Sequence, residues 1–256
     1  MSSPNTQTPR EVMLREMGVT PIWTLRGELM GLNPDPVETH TALAQAVTAE
    51  PSDVLPPIAT SSMESIADRA TRISDMTWGQ VTEEIAGCTA CKLYKTRTKT
   101  VPGVGNIHPK WMVIGEAPGE NEDKTGEPFV GRAGQLLDAM LHAAAKSRKR
   151  DVFITNIVKC RPPGNRDPEA DEIAACAPLL NRQIALAKPK LFLAVGKFAG
   201  QQLLGSNATV AAMRGAPGKR FEVPVVVTYH PSYLLRVPAE KAKSWDDLAT
   251  ALSIVQ

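Results

Sequence analysis

The sequence predicts an α/β fold of three layers, α/β/α, around a central four-stranded parallel sheet. From residue 111 onward, short apolar segments alternate with amphipathic segments of helical length, a pattern typical of parallel sheets covered by helices on both faces. The chain is 43% hydrophobic over 256 residues, which allows a substantial core. The predicted strands are 111–115, 152–156, 191–195 and 224–229, and the predicted helices are 132–147, 168–187, 197–204 and 239–252.

An N-terminal region of different composition precedes these elements. Residues 9–30 have the pattern of a short helix followed by an apolar patch around Trp23, whereas residues 31–62 are rich in Pro, Thr, Ala and Ser, as linkers are. We therefore expect two parts, namely an N-terminal extension with a partly disordered linker over 1–75 and a folded domain over 76–256. The apolar patch is a candidate contact for a protein partner.

Charge and hydropathy restrict the class of protein. The sequence has no run of about 18 apolar residues and no apolar signal stretch at its start, so we expect an intracellular protein without a membrane span. Its net charge of +2 does not by itself indicate nucleic acid. Two segments are strongly basic, however: residues 88–115 have five Lys or Arg and no acid, and residues 146–166 have seven against one acid. They indicate either a phosphate-binding face or a solvated charged surface.

The four cysteines of the chain are Cys88, Cys91, Cys160 and Cys176. In a reducing compartment such a set binds metal more often than it forms disulfides, and an all-thiolate set suits zinc or an iron–sulfur cluster. Only one pair is closely spaced, whereas structural zinc sites usually combine two short-spaced pairs. The spacing therefore favours a cluster over zinc, and buried apolar cysteines are the third alternative.

Polar residues follow the carboxyl ends of the predicted strands, where open parallel sheets bind ligands. The first strand leads into a turn that contains Glu116 and Glu122, the second strand ends in Asn156, and the fourth ends in His230. Each residue alone is weak evidence, because Asn at a strand end is usually a turn former and a single His usually has no catalytic role. Their convergence on one edge of one sheet predicts a site.

The types of these residues indicate a planar ligand. Phe129 lies in a loop rich in Gly and Pro and is either an aromatic plug over the core or a stacking platform. Asn156 offers one donor group and one acceptor, which fits an imide edge. His230 could donate a hydrogen bond to an oxygen that gains negative charge. Together the three residues describe a pocket for a base that has been flipped out of nucleic acid.

With these residues assembled, the chain resembles the family 4 uracil-DNA glycosylases, the iron–sulfur branch of the uracil-DNA glycosylase superfamily. The resemblance covers about residues 80–253 and leaves residues 1–75 unexplained. The matching segments are GCTACKLYKTRTKTVPGVGN (87–106), GEAPGENEDKTGEPFVGRAGQLL (115–137), ITNIVKCRPPGNRDPEADEIAAC (154–176) and TYHPSYLLR (228–236).

The resemblance implies a DNA repair enzyme that hydrolyses the N1–C1′ bond of deoxyuridine, releases free uracil and leaves an abasic site without a lyase step. We expect uracil-containing DNA, single- or double-stranded, as the partner, and a monomer that acts in the cytoplasm at the nucleoid. Two alternatives stay open: a different base specificity, such as hypoxanthine or xanthine, and a non-catalytic module that binds damaged DNA. Residues 205–223 contain no histidine, so we expect turnover rather than a covalent adduct with DNA.

The resemblance also implies roles for individual residues. Phe129 would stack on uracil, Asn156 would read its polar edge, and His230 would stabilise the departing base through its O2 oxygen. The ligands of a [4Fe–4S] cluster with a structural role would be Cys88, Cys91, Cys160 and Cys176. The DNA contacts would come from Arg132 and from a loop over 230–236 that enters the minor groove, with Ser232, Leu234 and Arg236.

One position differs from the better-known uracil glycosylases. They carry a water-positioning Asp in the motif GQDPY, whereas the matching residue here is Ala117, which would line the pocket. Glu116 is then the candidate for positioning water and stabilising the sugar cation. Glu122 is the candidate for shaping the pocket near C5 of the base.

Overall fold

The computed structural model describes residues 65–255 of the protein. The predicted N-terminal helix, the linker and the candidate partner contact at Trp23 therefore lie outside the described residues. The described part is built on one six-stranded sheet with strand order β1-β3-β2-β4-β6-β5. The strands are β1 (Val104–Gly105), β2 (Trp111–Gly115), β3 (Val152–Asn156), β4 (Leu191–Val195), β5 (Gly218–Arg220) and β6 (Val223–Thr228).

The four predicted parallel strands are confirmed, and they form the centre of the sheet. β3, β2, β4 and β6 run parallel in that order, and β2, β3 and β4 are buried along their whole length. The predicted number of strands is wrong, because β1 and β5 add short antiparallel edges. Strands of two and three residues, none of them buried, have too few apolar positions to produce a recognisable alternation.

Helices cover both faces of the sheet, so the three-layer architecture is confirmed. One core cluster joins β2 through Trp111 and Val113 to three helices, and the other joins β2 through Met112 and Ile114 to the helices on the opposite face. Among residues 65–255, no helix is long and apolar enough to cross a membrane. The helices are α1 (Ile66–Ser74), α2 (Trp78–Gly87), α3 (Glu120–Thr125), α4 (Arg132–Ala143), α5 (Ala170–Ala187), α6 (Lys197–Leu204), α7 (Val210–Met213), α8 (Pro231–Arg236) and α9 (Lys241–Ile254).

The first helix bears on the predicted division of the chain. α1 lies before the predicted boundary at residue 75, yet its Ile73 is fully buried in the core cluster that contains α2, α5 and α6. Arg182 of α5 also donates a hydrogen bond of 2.6 Å to the carbonyl oxygen of Met76, between α1 and α2. The helix before the boundary thus packs with the folded domain. The division of the whole chain stays a prediction.

The start of α5 also differs from the prediction. The helix begins at Ala170 with Glu169 as the N-cap, two residues later than the start at residue 168 expected from the sequence. The carboxylate of Glu172 accepts a hydrogen bond of 2.9 Å from the backbone N–H of Glu169. Glu172 is itself fixed by Arg166. This contact satisfies a terminal donor at Glu169 and leaves Asp167 outside the helix.

Candidate functional site

A cavity of about 810 Å³ lies at the carboxyl ends of the central strands. Because these strands are parallel and in register, with Gly115 opposite Asn156, the residues that follow them meet at one edge of the sheet. Eight of the predicted site residues line this cavity: Glu116, Ala117, Glu122, Phe129, Asn156, His230, Ser232 and Arg236. Their individual roles stay predictions.

Two of the predicted DNA contacts do not line the cavity. Arg132 is exposed on the surface at the start of α4. Leu234 is fully buried in the core cluster with α4 and α9, so its side chain is not available to DNA in this conformation. The segment 230–236 is also not the loop that we predicted, because His230 caps the short helix α8. Helical periodicity turns Leu234 inward and leaves Leu235 half-buried and Arg236 exposed.

Asn156 presents an unsatisfied acceptor at the cavity wall. Its side chain is only 1% exposed, and its Oδ1 atom has no hydrogen-bond partner among the described residues. Such a group is costly unless a ligand or water completes it. Gly115 makes the arrangement possible, since a Cβ there would lie 2.4 Å from Asn156 Oδ1 and 2.6 Å from Phe129 Cζ. The amide and the aromatic ring therefore converge over a residue that has no side chain.

Phe129 forms an apolar wall of the cavity beside His230. Their ring centroids are 5.6 Å apart and the planes are tilted by 32°. Phe129 has a backbone φ of 55°, which is a rare conformation for a bulky residue. Its carbonyl oxygen and that of Pro128 each accept a hydrogen bond of 2.7 Å from Arg148.

Glu122 holds the loop that carries this ring. Its Oε1 atom accepts hydrogen bonds from the backbone N–H groups of Val130, at 2.9 Å, and Gly131, at 3.2 Å. Its Oε2 atom accepts a third from Gly119 at 3.1 Å. The carboxylate thus ties the turn after β2 to the loop before α4. These contacts suit the predicted role in shaping the pocket better than a role in chemistry.

Glu116 is the ionisable carboxyl group at the end of β2. Burial, reinforced by the negative charge of Asp167 and opposed by Lys197, raises the pKa of Glu116 to about 7. A carboxyl group with a pKa near neutrality can exchange a proton with water under working conditions. Ala117, which follows it, packs against the core and adds only a methyl group to the cavity.

His230 is held in one orientation by Ser232. Its Nδ1 atom lies 2.7 Å from Ser232 Oγ and accepts a hydrogen bond of 3.2 Å from the backbone N–H of Ser232. Burial, together with the positive charge of Arg236, lowers the pKa of His230 to about 4 despite the opposing charge of Glu122. The imidazole is therefore neutral at pH 7. Since Nδ1 accepts, the proton resides on Nε2, which is left to donate.

Sequence reasoning assigned no role to two charged residues of the cavity. Asp167 and Lys197 both line it, and both act on the pKa of Glu116. Lys197 follows β4 after one glycine, Gly196, so its position just past a strand end was the available signal. Asp167 lies between Cys160 and Cys176, and only the folded path of that segment brings it to the cavity.

The four cysteines line a second, smaller cavity. All four are free thiols. Arg97 Nη1 donates a hydrogen bond of 3.2 Å to Cys160 Sγ, and Arg69 Nη2 donates one of 3.4 Å to Cys88 Sγ. Within residues 65–255, no three His, Cys, Asp or Glu side chains form a group that could hold a metal ion. The prediction of a metal centre here rests on the shared cavity and the all-sulfur donor set.

The segment between Cys160 and Cys176 joins the two cavities. Arg166 lines the strand-end cavity and donates two hydrogen bonds of 2.9 and 2.6 Å to the buried carboxylate of Glu172 in the first turn of α5. On its other side, Lys159 lines the cysteine cavity and donates a hydrogen bond of 2.9 Å to the carbonyl oxygen of Asn156. The two sites therefore share one stretch of backbone.

Known proteins match most of the part of the chain that the structure describes. Residues 102–249 match the family model of the uracil DNA glycosylase superfamily. The type-4 uracil-DNA glycosylase of Sulfurisphaera tokodaii is 45% identical over 167 residues, which is 62% of this chain and 76% of that protein. The type-4 enzyme of Saccharolobus solfataricus is 43% identical over 62% of this chain and 77% of its own length. That of Thermotoga maritima is 45% identical over 61% and 82%.

Proposed function

We infer the chemistry of the protein from one premise: the chain belongs to the uracil-DNA glycosylase superfamily, in its type-4 branch. It is a hydrolase of N-glycosyl bonds that excises uracil from DNA, releases the free base and leaves an abasic site. The observation that carries this assignment to the site is the cavity at the strand ends. That cavity is lined by the unsatisfied Oδ1 atom of Asn156, the ring of Phe129 and the neutral imidazole of His230.

Recognition of the base begins with stacking and one polar edge. We propose that uracil, rotated out of the DNA stack, lies against Phe129. Asn156 Oδ1 accepts the hydrogen bond of the N3–H group, and the amide N–H of the same side chain donates to O4. Cytosine has an acceptor at N3 and a donor at C4, so it would leave buried polar groups unpaired. A site of this kind rejects the wrong base strongly.

Bond breaking generates negative charge on the base. In our proposal the Nε2–H group of His230 donates to O2 of the departing uracil, because Nδ1 is occupied by Ser232. A neutral donor fixed in place is worth about 3 kcal/mol of transition-state stabilisation, on the scale of one oxyanion-hole donor. Because the pKa of His230 is lowered to about 4, the imidazole stays neutral and acts as a hydrogen-bond donor without taking up a second proton.

We assign to Glu116 the positioning of water and the stabilisation of the sugar cation. In its ionised form, Glu116 would stabilise the positive charge that develops at the sugar and orient the water that attacks C1′. A pKa of about 7 means that roughly half of the enzyme carries this charge at neutral pH. Ala117 leaves space beside it where better-known relatives carry a carboxylate.

We further propose that Cys88, Cys91, Cys160 and Cys176 bind a [4Fe–4S] cluster. Support comes from the donor set, since four free thiols surround one cavity and two of them already accept hydrogen bonds from arginines. When bound, the cluster ties together three separated segments of the chain and thereby orders the Cys160–Cys176 segment. None of the chemical steps above uses it.

Contact with DNA is assigned to the exposed cations around the cavity. Arg236 and Lys197 line it and are exposed, Arg132 is exposed at the start of α4, and Ser232 offers a hydroxyl group that could reach a phosphate. We propose that the protein is a monomer and works on single- or double-stranded DNA in the cytoplasm at the nucleoid. The N-terminal extension, outside the described residues, is the proposed contact for a protein partner.

The experiment that tests this function measures release of the base from end-labelled oligonucleotides, each with one uracil, cytosine, thymine or hypoxanthine. We expect strand breaks only at uracil and only after treatment with alkali, because an abasic site requires base to cleave. Breaks at hypoxanthine alone would replace the proposed specificity. Binding to all four DNAs without any release would replace the enzyme with a binding module.

A further inference from the structure

The stacking residue of the pocket is held in a conformation that its own chemistry disfavours. Phe129 has a backbone φ of 55°, and bulky side chains seldom adopt the left-handed region. An unfavourable backbone of this kind persists where surrounding contacts determine it. Contacts that fix this backbone therefore also fix where the Phe129 ring stands beside the cavity.

Arg148 supplies the contacts to the Pro128 and Phe129 carbonyls themselves. Its Nη1 atom donates a hydrogen bond of 2.7 Å to the carbonyl oxygen of Pro128, and its Nη2 atom donates one of 2.7 Å to that of Phe129. Its Nε atom donates to Asp138 Oδ1, also at 2.7 Å, which orients the guanidinium. The Arg148 side chain is only 16% exposed, and its three bonded nitrogens all point at protein.

Helix α4 holds the same carbonyl from the other side. A Cβ at Gly134 would lie 1.7 Å from the carbonyl oxygen of Phe129 and 2.1 Å from its carbon. The peptide therefore lies directly on the glycine, between α4 and the guanidinium. A planar fork matches two adjacent carbonyls, whereas the single ammonium of lysine cannot reproduce that geometry.

We propose that Arg148 is a positioning residue for recognition of uracil: it fixes the Pro128–Phe129 backbone so that the Phe129 ring stands where the base stacks. The inference rests on the proposed function, since it concerns that same pocket. At Arg148, the proposal replaces the phosphate-binding interpretation of the basic segment 146–166. Arg148 acts on the protein's own carbonyls and contributes nothing to phosphate binding.

The test compares Arg148→Met with Lys149→Met. Both changes remove one positive charge from neighbouring positions of the same segment, and Lys149 is exposed. Three quantities are measured for each protein: the single-turnover rate of uracil release, inhibition by free uracil, and affinity for an oligonucleotide with a tetrahydrofuran abasic site. The abasic DNA has no base to stack, so its affinity reports phosphate contacts alone.

For Arg148→Met we expect a single-turnover rate about tenfold lower, as for loss of hydrogen bonds from a charged group, and inhibition by free uracil about fivefold weaker. Affinity for abasic DNA should stay within about twofold of the wild type. Lys149→Met should change neither the rate nor the inhibition. Arg148→Lys and Asp138→Asn, which keep a cation at 148, should fall between the wild type and Arg148→Met in both quantities.

The outcomes separate the two proposals. If the wild type does not release uracil, the proposed function fails, whatever the variants do. If the wild type is active and Arg148→Met weakens abasic DNA binding with uracil inhibition unchanged, Arg148 binds phosphate and the inference is wrong. A lower melting temperature with normal rate and inhibition in the folded fraction would mean a structural role alone. Should Arg148→Met not fold, Arg148→Lys and Asp138→Asn decide by the same measurements.

Discussion

The two cavities of this protein are built in opposite ways. The cavity at the strand ends has a volume of about 810 Å³ and is walled by residues that follow parallel strands in register. The cysteine cavity is lined by the end of α2, the segment after it, the segment after β3 and the middle of α5. The register of the parallel strands therefore positions the residues of the strand-end cavity. The cysteine cavity depends instead on three segments that are not paired with one another in the sheet.

The two cavities also differ in how far contacts within the protein alone satisfy their polar and ionisable groups. In the strand-end cavity, Glu122, Ser232 and Arg148 fix the groups that line it by hydrogen bonds within the protein. In the cysteine cavity, burial raises the pKa of Cys91 and Cys160, and raises that of Cys176 to about 12. Thiolates there require a cation to offset their charge. Changes in the first site should therefore reduce activity, and changes in the second should reduce stability.

Asn156→Ala should give the largest effect on activity. Removing the amide deletes the proposed reader of N3–H and O4, and sites that hydrogen-bond a substrate edge lose about 10³-fold or more in rate without it. The melting temperature should stay near that of the wild type, because Asn156 Oδ1 makes no bond within the described protein. Single-turnover release of uracil and thermal unfolding measure the two quantities.

Asn165→Ala is the matched control for Asn156→Ala. Asn165 also lines the cavity, but it is exposed and bonds Arg161, so its loss should change the rate by less than about threefold. If Asn156→Ala released uracil as fast as Asn165→Ala, the amide would not read the base. A large drop in melting temperature for Asn156→Ala would also contradict the contrast between the two cavities.

Cys176→Ala should give the largest effect on stability. We expect the purified wild type to contain about four iron and four sulfide per chain, and the variant to lose them and to melt roughly 10 °C lower, since structural metal sites contribute directly to folding. Iron, sulfide and zinc analysis with thermal unfolding would settle the matter. One zinc per chain without sulfide would replace the cluster with a zinc site. A metal-free wild type of full stability would leave the cysteines as apolar core residues.

The pH profile of kcat/KM offers a finer test of the strand-end cavity. If ionised Glu116 is required, the rate should rise with pH through a limb near 7, because burial raises its pKa to about 7. Glu116→Gln should abolish this limb along with most of the rate. His230, whose pKa is lowered to about 4, stays neutral across the same range and should add no limb there.

Two charge changes beside Glu116 should move that limb in opposite directions. Asp167→Asn removes a negative charge that raises the pKa of Glu116, so the limb should shift to lower pH and the rate at pH 6 should rise about twofold. Lys197→Met removes a positive charge that lowers this pKa, so the limb should shift to higher pH. Identical profiles for both variants and the wild type would mean that another group controls the pH dependence.

The sequence predicted the strand-end cavity far better than its surroundings. Apolar runs bounded by Gly and Asn identified β2 and β3, and the rule that ligands bind at the carboxyl ends of parallel strands located Glu116, Asn156 and His230. These signals are local, because a buried strand needs consecutive apolar residues. β1 and β5 carry two and three residues each and gave no such signal.

What the sequence could not predict depended on contacts between distant segments. Leu234 was expected to contact DNA, but the helix that His230 starts turns it into the core. Arg148 belonged to a basic run, and only the fold brings it 20 residues back along the chain to Pro128. Asp167 and Glu116 are far apart in the sequence, yet both line the strand-end cavity, and the charge of Asp167 raises the pKa of Glu116. Spacing along the chain contains none of this information.

The smallest expected effect concerns the arginines of the cysteine cavity. Arg97 donates to Cys160 Sγ at 3.2 Å and to the carbonyl oxygen of Cys88 at 2.7 Å, and so joins two of the segments that the cluster would bridge. Arg97→Lys keeps the charge but cannot make both bonds in this geometry. We expect the visible absorbance of the variant to decay in air about threefold faster than that of the wild type, since hydrogen bonds to the sulfurs tune such clusters.

Arg161→Lys is the control for this change, because Arg161 follows Cys160 in the chain but bonds Asn165 and no thiol. Its absorbance should decay at the wild-type rate. Arg97→Lys that still holds its full cluster should also release uracil at a rate within about twofold of the wild-type rate. Arg97 does not line the strand-end cavity, where the proposed reacting groups lie. A loss of rate that precedes the loss of absorbance would show that the cysteine cavity acts on the base pocket directly. Lys159, which lines the cysteine cavity and bonds the carbonyl of Asn156, would then be the connection to examine.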